Sequence, residues 1–274
     1  MGGMAARINN AMSGFEPEGE KRWKPREQIF REVQKDLLAY RDAVQRTTSE
    51  DRIAAQNLFA AHEDFFAGQM DAFRVHYNED LMRTLDQGIV HNDLHCGNVK
   101  FSADGEITAV LDFGYVQSDA RIVEFNNLVL GMDALPGLCP YSRERLAAVL
   151  KGYQRKADHK LNAQEIRGVL EVLRLRFLEE LRWRFAPEND RLAAINAARS
   201  AEALASAEQT IENFKSFAED FREEAAVKAL IEEVSQSGTL KFETKHAVIR
   251  TFDPEATTIA LAVNAKAFDP SGKG

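Results

Sequence analysis

The 274-residue sequence predicts an α+β fold that is mostly α-helical. Three observations carry that prediction. Apolar residues recur at helical spacing through most of the chain. A short strand–turn–strand unit interrupts them near residue 100, and strand-like patterning returns only after residue 237. With 45% apolar and 28% charged residues, the chain can bury a core of one large domain or two small ones.

The elements follow in order. Residues 4–13 predict a short helix ending near Gly14. Residues 15–26 carry Pro17 and Pro25 and predict a loop. From Arg26 to about Gln45, Ile29, Phe30, Val33, Leu37, Leu38 and Tyr40 mark one helical face. Thr47, Thr48 or Ser49 can cap the next helix, with Glu50 and Asp51 favourable in its first turn. That helix is predicted to run to about Gln87 with a break near Gly68. Its stripe of Ile53, Leu58, Phe65, Phe66, Met70, Phe73, Leu81 and Leu85 reads as core. The pattern changes at Gly88. Ile89-Val90 precede a polar loop. Val99–Phe101 and Ile107–Leu111 read as strands joined by a turn at Asp104-Gly105, a hairpin signal. Helices are then expected over 121–134, 142–157, 163–186, 188–206 and 207–234, with Ser142 and Asn162 as N-caps and Pro187 as a stop. Strands are expected over 240–252 and 257–263. The domain reading is a catalytic unit over 1–236, a β-hairpin extension over 237–268 and a disordered tail over 269–274.

Composition excludes several classes. The net charge of −8 gives no electrostatic support for nucleic-acid binding. Cys96 and Cys139 make neither a disulfide framework nor a zinc site, which fits a reducing, cytoplasmic setting. No apolar run approaches the length that spans a bilayer, so no membrane partner is expected. The N-terminus has no signal-peptide core.

The chemistry concentrates in one stretch. His91-x-Asp93-x-x-x-x-Asn98 has the spacing of a kinase catalytic loop, and Asp112-Phe113-Gly114 follows directly after a strand. Phosphoryl transfer needs a carboxylate to orient the acceptor hydroxyl and take its proton. It also needs Mg²⁺ to neutralise the phosphates of ATP. Asp93 suits the first role. Asn98 and Asp112 offer the hard oxygens that suit the second, and the intervening hairpin returns two sequence-distant groups to one edge. An aspartate in a turn is usually a backbone cap, and a lone D-F-G is weak. The ordered run of loop, strand, Asp-Gly turn, strand and D-F-G is the specific signal.

The stretch from Gly88 to Gly131 resembles the aminoglycoside phosphotransferase, homoserine kinase and choline kinase superfamily. That superfamily shows H-x-D-x-H-x-G-N, a strand pair, then an aspartate in a D-F context. Here His91, Asp93, His95, Gly97, Asn98 and Asp112 stand in those places. The resemblance implies a small-molecule kinase using ATP and Mg²⁺, with a kinase-like C-terminal lobe and a helical substrate-binding subdomain. It implies Asp93 as catalytic base, His91 as a brace behind the loop, and Asn98 with Asp112 as metal ligands that also bind the nucleotide phosphates. Cys96 stands where proline is common. Glu124 stands where another acidic residue is common. Met4–Pro17 is similar to the helix after the hinge in homoserine-kinase-like members, so the resemblance stretches over about residues 4–220, with 88–114 specific. Acidic residues on C-terminal helices hold cationic substrates in such enzymes, which points to Glu171, Glu179 and Glu180.

A complete kinase of this class also has an N-terminal β-lobe with a phosphate-covering loop and a strand lysine. Nothing before His91 reads as either, so the expectation is a lobe that is missing or supplied by another chain, and weak activity of the isolated chain. Ala247-Val248-Ile249-Arg250 echoes the lysine strand, but arginine does not replace that lysine freely. Three rival readings stand beside the kinase. One is a catalytically silent binding module of the same fold. The second is a two-histidine, one-carboxylate iron site using His91, Asp93 and His159 or His246, which calls for a β-rich barrel. The third is the atypical kinase group associated with ubiquinone synthesis, which shares the motifs but carries an N-terminal extension not seen here.

Overall fold

A computed structural model describes residues 1–13, 26–43, 50–103, 107–130, 141–185 and 200–236. The architecture is α+β and mostly helical. Ten helices and two small antiparallel strand pairs make it up among the described residues.

Helix α8 (Ala163–Phe185) is the scaffold. Ile166, Val169, Leu170, Val172, Leu173, Leu175, Phe177, Leu178 and Leu181 are all buried, as are Glu165, Glu171 and Arg174, so the helix is covered on nearly every face and sits in the middle. Around it pack α2 (Arg26–Ala43), α4 (Glu63–His76), α5 (Glu79–Thr84), α6 (Phe125–Val129), α9 (Ser200–Asp220) and α10 (Glu224–Ser235). Phe177 stacks on Phe214 of α9 with ring centroids 4.8 Å apart, and Phe30 of α2 stacks on Phe73 of α4 at 4.7 Å. The start of α8 is a reciprocal cap. Asn162 Oδ1 accepts from Gln164 N at 2.8 Å, and Glu165 Oε2 accepts from Asn162 N at 2.9 Å. Ser142 caps α7 (Arg143–Lys156) by accepting from Arg145 N at 3.2 Å. Both caps are where the sequence predicts them.

Helix α1 (Gly2–Ala11) lies against α7 at backbone contact. A Cβ on Gly2 would stand 1.8 Å from the Val149 carbonyl oxygen, so only glycine permits this approach. Asn9 then ties α1 to the strands: its Nδ2 donates to Ile89 O at 3.2 Å, and its Oδ1 accepts from the Tyr153 hydroxyl at 2.9 Å.

Strand β1 (Gln87–Val90) pairs antiparallel with β4 (Gln117–Ala120), and β2 (Val99–Phe101) pairs with β3 (Ile107–Val110). The register sets Val90 opposite Gln117 and Val99 opposite Val110. Residues 91–98 and 111–116 are therefore the two connections between the strand pairs, gathered by those pairings at one edge.

Several elements differ from their sequence prediction. In place of one helix over 50–87 broken near Gly68, three stand there: α3 (Glu50–Ala60), α4 and α5. Gly68 lies inside α4, where an added Cβ would meet nothing within 4 Å. The later break falls after Tyr77 because Asn78 Oδ1 accepts from Leu81 N at 3.0 Å and starts a new helix. The boundary expected at 206/207 is absent; α9 runs through it with Ala207, Ile211, Phe214 and Phe217 buried as one stripe, and the break comes at 221–223. In place of one helix over 121–134, a 3₁₀ turn (Arg121–Glu124) precedes the short α6. β4 was not predicted, since Gln-Ser-Asp-Ala has no strand propensity of its own. The Asp104-Gly105 turn, the caps at 47–49, the extension over 237–268 and the tail lie outside the described residues. Among the described residues no helix is long and apolar enough to cross a membrane.

Candidate active site

The sequence places the loop 91–98 between two strands, and the structure holds it from behind. His91 is buried to 1% exposure. Its Nδ1 accepts from Asp93 N at 3.3 Å, so the ring proton sits on Nε2, which donates to Leu111 O at 2.9 Å. One imidazole therefore joins the loop to the residue before Asp112. Its ring also meets the Phe113 ring edge-on, 4.9 Å between centroids. A second link is the bond from Leu111 N to Asn98 O at 2.8 Å. Asn98 and Asp112 are thus brought side by side along the backbone.

Glu124 holds the loop from below. The His91 N–H donates to its Oε2 at 2.6 Å. The carboxyl is fully buried, and burial pushes its pKa up to about 7 against the opposing pull of the N–H groups of His91 and Asn92.

Asp93 is held by two amides. Asn98 Nδ2 donates to Asp93 Oδ2 and to the Asp93 carbonyl, both at 2.9 Å. Asn127 Nδ2 donates to Asp93 Oδ1 at 3.1 Å and to Asn92 O at 3.0 Å. Each amide spends both its N–H groups on the loop. Asn98 Oδ1 is left without a partner among the described residues. The His95 ring stands beside the carboxylate, with Nε2 3.7 Å from Asp93 Oδ2. His95 Nδ1 accepts from Gly97 N at 3.1 Å, which puts the proton on the nitrogen facing Asp93.

Asp112 is exposed and in the left-handed region, with φ 58°; its Oδ1 accepts from Gly114 N at 3.3 Å. Asn92, at φ 61°, is the other non-glycine residue with positive φ among the described residues. Its side chain is fixed by Arg26, whose guanidinium donates to Asn92 Oδ1 at 2.7 Å. Both unfavourable backbone positions thus fall in one site, a concentration typical of functional geometry.

These contacts bring His91, Asp93, Asn98 and the Asp112 backbone together as the motif spacing implies. Arg26, Asn127 and the bracing role of Glu124 were not predicted; they come from α2, α6 and the 3₁₀ turn, which carry no motif of their own. The three acidic candidates on α8 sit differently. Glu171 is paired with Arg174 Nε at 2.9 Å and faces His76 Nδ1 at 3.3 Å. Glu180 is paired with Arg176, and Glu179 lies 3.9 Å from the same guanidinium. Glu171 lines a cleft of about 550 Å³ between α4, α5, α8 and α10, to which the loop contributes no residue. Among the described residues no three His, Cys, Asp or Glu side chains gather as a metal-binding set. Both His91 nitrogens are already engaged, so the two-histidine iron site with His159 is not formed. His246 lies outside the described residues.

The oxygens present fit Mg²⁺: a neutral amide oxygen left free and an exposed carboxylate, both hard donors. Residues 28–165, half of the chain, match the model of the phosphotransferase enzyme family, a span that takes in the loop, both strand pairs, Glu124 and Asn127. No curated protein matches. Among solved structures, an aminoglycoside phosphotransferase from Alicyclobacillus acidocaldarius subsp. acidocaldarius DSM 446 superposes with a TM-score of 0.54. The match covers 86% of this chain and 67% of that one at 16% identity. At that identity the likeness is one of fold.

Proposed function

The chain belongs to the phosphotransferase enzyme family, and from that premise we propose that it moves the γ-phosphate of ATP to a hydroxyl group of a small metabolite or an aminoglycoside. The observation that carries this reading is the Asp93 carboxylate, fixed by two amides yet free of any arginine or lysine partner among the described residues. A base must be oriented and must keep its charge available.

Asp93 accepts the proton of the acceptor hydroxyl. The hydroxyl oxygen forms its bond to the γ-phosphorus as the bond to the β–γ bridging oxygen breaks, and ADP leaves with that electron pair. His91 and Glu124 keep the loop in register with Asp112. Asn98 Oδ1 and the Asp112 carboxylate are the groups that would hold Mg²⁺, which when bound neutralises phosphate charge. Glu171, Glu179 and Glu180 are assigned to a cationic acceptor, which would have to compete with the arginines now facing them. Among the described residues no β-rich lobe stands over the site. We therefore assign the groups covering the nucleotide to residues outside those described or to a second chain, and we place the activity in the cytoplasm, where ATP is.

The test is a turnover assay of the chain with Mg²⁺ and ATP against a panel of small alcohols and amino sugars, with phosphorylated product followed by ³¹P NMR. Product formation that vanishes in Asp93→Asn supports the proposal. Equal turnover in Asp93→Asn refutes the base assignment. Mg²⁺-dependent ATP binding without transfer to any acceptor favours the binding-module reading instead.

A further inference from the structure

We propose that Asn127 is a positioning residue for the Asp93 carboxylate, the second jaw of a clamp whose first jaw is Asn98. The inference rests on the phosphotransferase reading for its catalytic meaning and on the geometry alone for the clamp. Nothing in the loop's own sequence announces Asn127, which lies 34 residues downstream on α6.

The argument starts from what a carboxylate can accept. Each oxygen offers two lone-pair positions, and a hydrogen bond at only one oxygen leaves the group free to rotate about its Cβ–Cγ bond. Here Oδ2 takes Asn98 Nδ2 at 2.9 Å and Oδ1 takes Asn127 Nδ2 at 3.1 Å. With both oxygens anchored from different elements, the carboxylate plane is fixed. One lone-pair position on each oxygen remains for an acceptor hydroxyl.

The identity of the Asn127 atom is set by its partners. It faces a carboxylate oxygen and the Asn92 carbonyl oxygen, and only an NH₂ group can satisfy both. Asn127 is buried and sits on a helix packed against α8, so the jaw is carried by the core rather than by the loop it grips. The bond to Asn92 O also steadies the residue whose backbone is at φ 61°. Arg26 holds the side chain of that same residue from another direction.

The test is a double-mutant cycle read by thermal unfolding at neutral pH. Asn127→Asp sets two carboxylates against each other and is expected to lower the Tm by on the order of 4–8 °C. In an Asp93→Asn background the same change restores one donor and one acceptor between the two positions. Its cost should therefore fall to less than about half. The bond to Asn92 O is lost in both backgrounds and cancels. An equal cost in both backgrounds would overturn the clamp. Where Asn127→Asp does not fold, Asn127→Ala compared between the wild type and Asp93→Ala asks the same question, and again an equal cost overturns it.

A kinetic arm separates positioning from packing. Asn127→Ala should lower kcat by roughly tenfold or more while the KM for Mg·ATP changes less than about twofold. An unchanged kcat overturns the positioning role. The unfolding cycle needs no turnover. A wild type without activity thus sinks the function proposed above and leaves the Asn127 bond to be decided by stability alone.

Discussion

Two acidic regions of this molecule treat their charge in opposite ways. On α8, Glu171 and Glu180 are met by Arg174 and Arg176, and the Glu171–Arg174 pair is buried, with both side chains under 10% exposed. At the strand edge, Asp93 is met by neutral amides, and Asp112 by one backbone N–H. The first region neutralises its carboxylates with arginines three or four residues away on the same helix. The second orients its carboxylates and leaves their charge unspent. A matched pair is costly to break from one side; an oriented, unmatched carboxylate is available for a proton or a cation. The number of acidic residues says nothing about which is which. The partner does.

The contrast can be broken by substitutions on either side. The largest effect is expected at Asp93. Asp93→Asn should lower kcat by about 10²–10⁴ while the unfolding midpoint moves by only a few degrees, as measured by product formation and calorimetry. A comparable kinetic loss from Glu180→Gln would erase the distinction. Asp112→Asn should follow, with a loss of about 10²–10³ in rate that is partly recovered at high Mg²⁺. The Mg²⁺ dependence of kcat/KM is the readout.

Glu124 sharpens the comparison through pH, because its carboxyl is buried without a cation. Its folded pKa, at about 7, lies above the ordinary glutamate value of 4.5. Folding therefore favours the protonated form. The stability it allows is fully present below about pH 4.5 and is lost as pH rises through 7. A change on the order of 3 kcal/mol across that window is expected. Glu124→Gln should flatten the pH dependence of the denaturation midpoint between those limits. An unaltered slope would mean that the carboxyl is not buried as described. The smallest effect is expected from Glu171→Gln, which leaves Arg174 with a weaker partner. A stability loss of about 1–3 kcal/mol in urea titration is expected, with kcat unchanged. A raised KM for a cationic acceptor is expected from its assignment to that substrate; an unchanged KM would leave Glu171 the Arg174 pairing alone.

The site was more legible than its supports. His91, Asp93, Asn98 and Asp112 announce themselves because their chemistry demands a fixed spacing along one short stretch. The hairpin between them shows in alternating apolar residues. Arg26 and Asn127 carry no such signal. Arg26 opens α2 and Asn127 stands in the middle of the short α6, and the meaning of each comes only from what tertiary packing sets beside it. Helix limits show the same division. Ser142 and Asn162 cap where predicted because capping is local. The breaks at 61–62 and 221–223 carry no such local signal, because neither His62 nor Glu223 makes a side-chain capping bond to the helix that follows. β4 exists because β1 offers it a ladder, not because Gln-Ser-Asp-Ala favours extended backbone.

The pair of left-handed residues, Asn92 and Asp112, has an evolutionary corollary. Glycine would relax the backbone at both positions, but at Asn92 it would also strip the buried Arg26 guanidinium of an acceptor. At exposed Asp112 nothing comparable is lost, so a change to glycine there should make a sturdier and duller molecule. A laboratory selection that rewards heat resistance alone would tend to discard the Asp112 side chain, and its persistence in any lineage would be a running record that something other than robustness was being asked of the chain.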